Sequence, residues 1–152
     1  MAVETKQAAQ VFDLRTPYLD GGRTTDLRAK TDLMNIIAKV YAEGGENAMH
    51  NHPHEDHAFI VLEGEATFHI ETDDDNRVVK QYEGVMLPKG VNYYFQSSSD
   101  RNLVMVRVAA QYPGEKSGRL TPDGRDIPGG SDENKSSPRI ERPGRWFGEP
   151  SR

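Results

Sequence analysis

Residues 65–72, Glu-Ala-Thr-Phe-His-Ile-Glu-Thr, alternate apolar and polar side chains, with Ala66, Phe68 and Ile70 on one face. A period of two is the mark of a strand with one buried face. The run ends in an acidic tip, Asp73-Asp74-Asp75-Asn76, and the chain resumes as Arg-Val-Val-Lys-Gln-Tyr over 77–82. Two strands joined by a polar loop make an antiparallel hairpin. The tip lacks the spaced ligands of a calcium loop and reads as a solvated turn. Residues 91–96 and 102–110 read as further strands, separated by Ser97-Ser98-Ser99-Asp100. Residues 33–42 fit a helix about as well as a strand. Met34, Ile36, Ala38, Val40 and Ala42 alternate and Gly44-Gly45 follow, so a strand is the reading taken. Short strands between Gly, Pro and Asp turns predict an all-β barrel or sandwich.

Gly and Pro are unevenly spread. Six of the nine Pro and seven of the 14 Gly fall from Pro113 onward. Large apolar residues are few there: Leu120, Ile127, Ile140, Trp146 and Phe147. Such a segment cannot build its own core. The expected organisation is a flexible N-terminus over 1–9, a globular unit over 10–112 and an extended arm over 113–152. Trp146 and Phe147 are expected to pin the arm onto its own or a partner's globular unit, leaving the histidines described below open.

Composition excludes several classes of function. The chain has 152 residues and a formal net charge of -5, without the basic excess that nucleic-acid binding needs. Cysteine is absent, which removes disulfides, thiolate metal sites and a Cys nucleophile. No apolar run approaches the roughly 18–20 residues of a membrane helix. The start, Met-Ala-Val-Glu-Thr-Lys, lacks a signal-peptide core, so a soluble cytoplasmic protein is expected.

Four of the five histidines lie within eight residues: His50, His52, His54 and His57. On a strand His50 and His52 project to the same side. His54 follows Pro53 and belongs to a turn. His57 opens the next apolar run, with Phe59 and Val61 on its face. If that strand pairs back on the first, His57 faces His50 and His52. Three neutral imidazoles at one point suit Fe, Zn, Mn, Ni or Cu as a divalent ion.

His50-x-His52, four residues, His57, six residues, Gly64 resembles the first motif of the cupin family, G-x5-H-x-H-x3–4-E-x6-G. Gly44 stands six residues before His50, as in that motif. Pro88-Lys89-Gly90-Val91-Asn92-Tyr93 is similar to the centre of the second, G-x5-P-x-G-x2-H-x3-N. The resemblance spans about 44–97 and implies a single cupin, jelly-roll-like β-barrel that carries the arm. Departures are equally plain. His57 stands at the glutamate position, Tyr93 at the second motif's histidine, Ser97 at its asparagine and Tyr82 at its leading glycine. The ligand set expected here is His50, His52 and His57. Tyr93 is open to three roles: phenolate ligand, hydrogen-bond donor or acid beside the metal, or packed aromatic. His69 is a second catalytic candidate if its face of the strand points inward. Glu55 and Asp56 are loop carboxylates able to replace the missing glutamate.

The resemblance implies two classes of function. One is a metal-dependent enzyme acting on a small anionic or carbonyl-bearing molecule, with dioxygenase first among the chemistries and cupin isomerase or lyase activities behind it. The other is a non-catalytic sensor or binding module. Cupins commonly pair, so a homodimer is expected.

Overall fold

Eleven strands and no α-helix make up the regular structure among the described residues. The computed structural model describes residues 6–129, 131 and 138–149. Parts of the expected flexible N-terminus (1–5) and of the expected arm (130, 132–137 and 150–152) lie outside the described residues. No helix of the described residues is long and apolar enough to cross a membrane.

One sheet has five strands in the order β2 (Arg23–Lys30), β3 (Met34–Tyr41), β10 (Leu103–Gln111), β5 (Glu55–Glu63) and β8 (Gly84–Leu87). The second has four: β4 (Gly45–His50), β9 (Tyr93–Ser97), β6 (Glu65–Ile70) and β7 (Asn76–Lys80). A ribbon of β1 (Thr16–Gly21) and β11 (Ile140–Phe147) stands apart. The ladders form separate sheets and do not run round into one closed barrel. The jelly-roll, all-β architecture expected from the sequence is what the chain adopts.

The hairpin read from residues 65–82 is β6–β7, in register from Glu65 opposite Lys80 to His69 opposite Asn76. Its alternation buries Ala66 and Phe68 completely. These meet Tyr41, Phe59, Val61, Leu103 and Met105 of the five-stranded sheet, and Tyr93 and Phe95 of their own, in one core. Phe68 and Phe95 stack at 4.9 Å between ring centroids. Such ring pairs add about 0.5–1.5 kcal/mol beyond the area they bury.

β3 is a strand, as the sequence reading preferred. Ile37, Lys39 and Tyr41 point into the sandwich by their period of two, and Ile36, Ala38 and Val40 point outward. The β1–β11 ribbon covers one end of that outer face, where Leu19, Val40 and Val104 pack with Phe147. Phe147 thereby docks on its own chain, while Trp146, opposite Pro17, stays 46% exposed. Away from that end the outer face carries an apolar row: Ile36, Val108, Ala58 and Met86 stand side by side across four strands.

Gly64 turns the chain from one sheet to the other between β5 and β6. Its φ is +80°, and a Cβ there would lie 2.6 Å from the Asn102 carbonyl oxygen. Gly90 has a similar φ of +82° but open space around it. A side chain in this conformation costs about 1–2 kcal/mol. Gly90→Ala is expected to lose that much in urea unfolding, and Gly64→Ala clearly more. Equal losses would show that the approach to Asn102 contributes nothing.

Candidate metal centre

β4 ends at His50, opposite Tyr93 of β9. The chain then crosses through Asn51, His52 and the Pro53-His54 turn, and enters the other sheet at Glu55. The pairing of the His57 strand with that of His50, the condition under which His57 was to face the other two, does not occur. β4 pairs with β9, whereas β5 pairs with β10 and β8. The histidines meet because both sheets turn these residues toward the space between them. Glu55, His57, Phe59 and Val61 share the buried face of β5.

His52, Glu55 and His57 offer ligand atoms that all lie within 4.8 Å of one another. The His52 and His57 rings are 4.0 Å apart between centroids. His50 is outside that compact group but adjoins it, its ring 5.2 Å from that of His52 and fully buried. Hydrogen-bond partners assign the tautomers. His50 Nδ1–H donates to the Ala48 carbonyl at 2.8 Å and His52 Nδ1–H to the Gly118 carbonyl at 3.0 Å; Arg119 Nη2, 3.2 Å from the same protonated His50 Nδ1, is then a neighbour and not a hydrogen-bond partner. Each ring then keeps a lone pair on Nε2. That atom of His50 is buried and has no hydrogen-bond partner among the described residues. His57 Nε2 lies 2.6 Å from Glu55 Oε2, and Ser117 Oγ donates to Glu55 Oε1 at 2.5 Å. Tyr93 is buried, with its hydroxyl 3.5 Å from His57 Nδ1.

Burial sets the charge states. Desolvation lowers His50 to about 4. Desolvation, helped by the neighbouring His57 and His50, lowers His52 to about 2. Desolvation also lowers His57, against the pull of Glu55. All three rings are therefore neutral near pH 7, the form that binds metal. Desolvation would raise Glu55, but hydrogen bonds from His57 and Ser117 outweigh it and bring the carboxyl to about 2. Desolvation raises the Tyr93 phenol well above its ordinary value, so it stays protonated. Neutral imidazoles, one carboxylate and an orphaned buried nitrogen suit a divalent transition metal.

Other sequence candidates lie elsewhere. His54 sits in the turn, half exposed, 3.6 Å from Glu115. Asp56 accepts the backbone N–H of Lys89 at 2.8 Å. His69 is on the face of β6 opposite the buried Phe68, stacked on Tyr94 at 4.2 Å with Nδ1 near the Asp73 carbonyl. The structure does not bring it to the histidine group.

The sequence reading expected the arm to leave the histidines open, and it does not. Residues 117–120 run beside them: Ser117 holds Glu55, Gly118 holds His52, and Leu120 bridges to Asn51. Arg119 Nη2 lies 2.6 Å from Glu46 and 3.2 Å from His50 Nδ1. Glu46 also takes Lys39 Nζ at 3.2 Å and the Tyr41 hydroxyl at 3.3 Å. Sequence reasoning missed this cluster. The available signal was Lys39, a charge on the face of β3 that also carries Ile37 and Tyr41.

Residues 39–109 match the family model described as a cupin domain. The chain carries a cupin domain. Solved structures share its fold. A conserved protein with a double-stranded β-helix domain from Klebsiella pneumoniae aligns at TM-score 0.56 and 21% identity, over 66% of this chain and 84% of that one. The TT1209 protein from Thermus thermophilus aligns at TM-score 0.59 and 17% identity, over 69% and 100%. An oxalate oxidase in complex with glycolate aligns at TM-score 0.53 and 20% identity, over 66% and 55%. No curated protein matches the chain.

The cupin domain's buried histidines give stability a pH dependence. Each takes up a proton more easily in the unfolded chain, near 6.5, than in the fold. The metal-free protein is thus fully stable above about pH 6.5 and loses stability as the pH falls toward 4, since the unfolded state binds more protons there. Urea midpoints are expected to drop between pH 7 and 5, before the carboxylates titrate. The drop should shrink in His50→Gln/His52→Gln. A midpoint independent of pH in this window contradicts the neutral-histidine assignment.

Proposed function

We propose that this cupin domain holds a divalent transition metal and uses it on a small anionic, carbonyl-bearing molecule. The observation that carries the reading is the meeting of His52, Glu55 and His57 beside the unpartnered Nε2 of His50. In this reading His50, His52 and His57 are the nitrogen ligands. Glu55 takes the part of the family's missing glutamate from two residues earlier on the same strand face. The bound ion (Fe, Zn, Mn, Ni or Cu) supplies Lewis-acid or redox chemistry.

The chain's own residues do the rest. The Ala48 and Gly118 carbonyls aim the His50 and His52 rings, a role whose loss typically weakens metal affinity about 10–100-fold. Ser117 steadies Glu55. Tyr93 stays a neutral phenol whose O–H faces His57 and is a donor to substrate oxygen, not a ligand. Phe59, Phe68 and Phe95 keep water from the inner side. Oxygen-dependent cleavage of a β-dicarbonyl or hydroxy acid is the first chemistry to assay, as oxygen uptake by the iron-loaded protein.

Elemental analysis of untagged protein tests the centre. Near-stoichiometric metal is expected, with loss in His52→Ala, His57→Ala and Glu55→Gln and a marked reduction in His50→Ala. His54→Ala and Tyr93→Phe should keep it. Metal loss in His54→Ala with retention in His57→Ala overturns the ligand set. Protein that stays metal-free after reconstitution supports the non-catalytic module instead.

A homodimer belongs to the same proposal. The uncovered face around Ile36, Val108 and Met86, with Ile60 41% and Met86 65% exposed, is apolar enough for a second copy to cover it. Light scattering is expected to give twice the 17.0 kDa chain mass, and Ile60→Glu/Met86→Glu to give the monomer. A monomeric wild type removes the dimer.

A further inference from the structure

The inner face of the five-stranded sheet carries a cation with no anionic partner among the described residues. Leu103, Met105, Arg107 and Ala109 of β10 point into the sandwich by their period of two. Arg107 lies between Ile37 of β3 and Phe59 of β5. The next inward row is Asn35, Ala109 and His57. Ala109 is small, so the guanidinium can extend over it toward that row, and it does: Nη2 reaches Asn35 Oδ1 at 3.4 Å. That bond is long. Nε is buried and has no acceptor among the described residues. Lys39 and Arg119 both pair with Glu46, but no carboxylate among the described residues pairs with Arg107. Arg107 as a whole is part-buried, its Nε fully so, and that edge of the guanidinium has hydrogen-bonding capacity to spare.

A cavity of about 320 Å³ opens at this end of the sandwich. Asn35, Glu55 and Ser117 are among its walls. It thus touches the one residue bonded to Arg107 and the carboxylate bonded to His57. Glu55 is already engaged by His57 and Ser117, which leaves Arg107 as the group seeking an anion. The rim holds Asp32 and Glu115 against a single Lys30, which disfavours ligands of multiple negative charge.

The geometry points to Arg107 as the residue that receives the carboxylate of a small monocarboxylic acid, entering through the cavity walled by Asn35, Glu55 and Ser117. A planar guanidinium fork matches a carboxylate bidentately, and a ligand carboxylate is a stronger acceptor than the Asn35 amide it displaces. A hydroxyl or keto oxygen on the neighbouring carbon then faces His52 and His57. The inference deepens the proposed function, and rests on it only for that second contact.

Calorimetric titration with glycolate, glycolamide and malonate tests it, on zinc-loaded and on chelator-stripped protein. Wild type is expected to bind glycolate about tenfold or more tightly than uncharged glycolamide, and malonate less well than glycolate. Arg107→Met should lose the preference for glycolate over glycolamide with zinc content unchanged, and Arg107→Lys should keep part of it. Asn35→Ala should hold or raise glycolate affinity, because a competing acceptor is gone. That variant leaves the Arg107 charge in place and so covers a failure of Arg107→Met to fold. Glycolate binding by Arg107→Met as tight as wild type, or a loss of it in Asn35→Ala, overturns the proposal. So does the absence of saturable glycolate binding to wild type at millimolar concentration. The metal reading fails separately: protein that takes up no zinc but shows the Arg107-dependent preference keeps the anion site and loses the metal centre.

Discussion

Glu46 sends its carboxylate into the space between the two sheets, where Lys39, Tyr41 and Arg119 reach it from two other parts of the chain. Glu46 is on β4, Lys39 and Tyr41 are on β3, and Arg119 belongs to the arm. One buried anion therefore joins both sheets and the segment that runs beside the histidines. Desolvation opposes its charge, yet Lys39 and Arg119 hold the carboxyl well below its ordinary value. Desolvation pulls Lys39 the other way, down to about 8. Removing one partner from such a buried pair typically costs about 3–5 kcal/mol, because the other charge is left uncompensated. The cluster is thus poorly tolerant of change, and it sits one contact from His50 through Arg119.

This placement explains why the arm is part of the site. A Pro- and Gly-rich segment cannot form a core, but its backbone carbonyls are available as acceptors. Gly118 and Leu120 use theirs on His52 and on Asn51. Arg119 gives the same stretch a charge that Glu46 accommodates in the interior. The strand that follows, β11, returns to pair with β1, so the arm is tied at both ends to its own globular unit. Ligand orientation at the histidines then depends on residues that are distant in the sequence, with Ser117 62 positions from Glu55 and Gly118 66 from His52.

The fold was largely legible because its signals are local. Alternation over Ala66, Phe68 and Ile70, the polar tip after them and the glycine at 64 each specify a strand or a turn without reference to the rest. The histidine spacing was legible for the same reason, since His50, His52 and His57 lie within eight residues. What local spacing could not give was the route by which they meet. The pattern suggested paired neighbours, whereas the sandwich brings them across from opposite sheets. His69 shows the converse: its sequence context left its direction open, and the burial of Phe68 put it on the outer face.

Sequence alone determined that the chain is built of strands, that residues 44–97 follow the cupin pattern and that imidazoles gather near residues 50–57. These follow from side-chain period and spacing, which are properties of a few consecutive residues. Tertiary structure decided that Glu55 joins His52 and His57, that Ser117 and Gly118 orient them, and that Glu46 carries two cations while Arg107 has no anion among the described residues. Even the short-range contacts among these need the chain to have turned from one sheet into the other. They depend on which strands face each other across the core, and no local pattern encodes that choice.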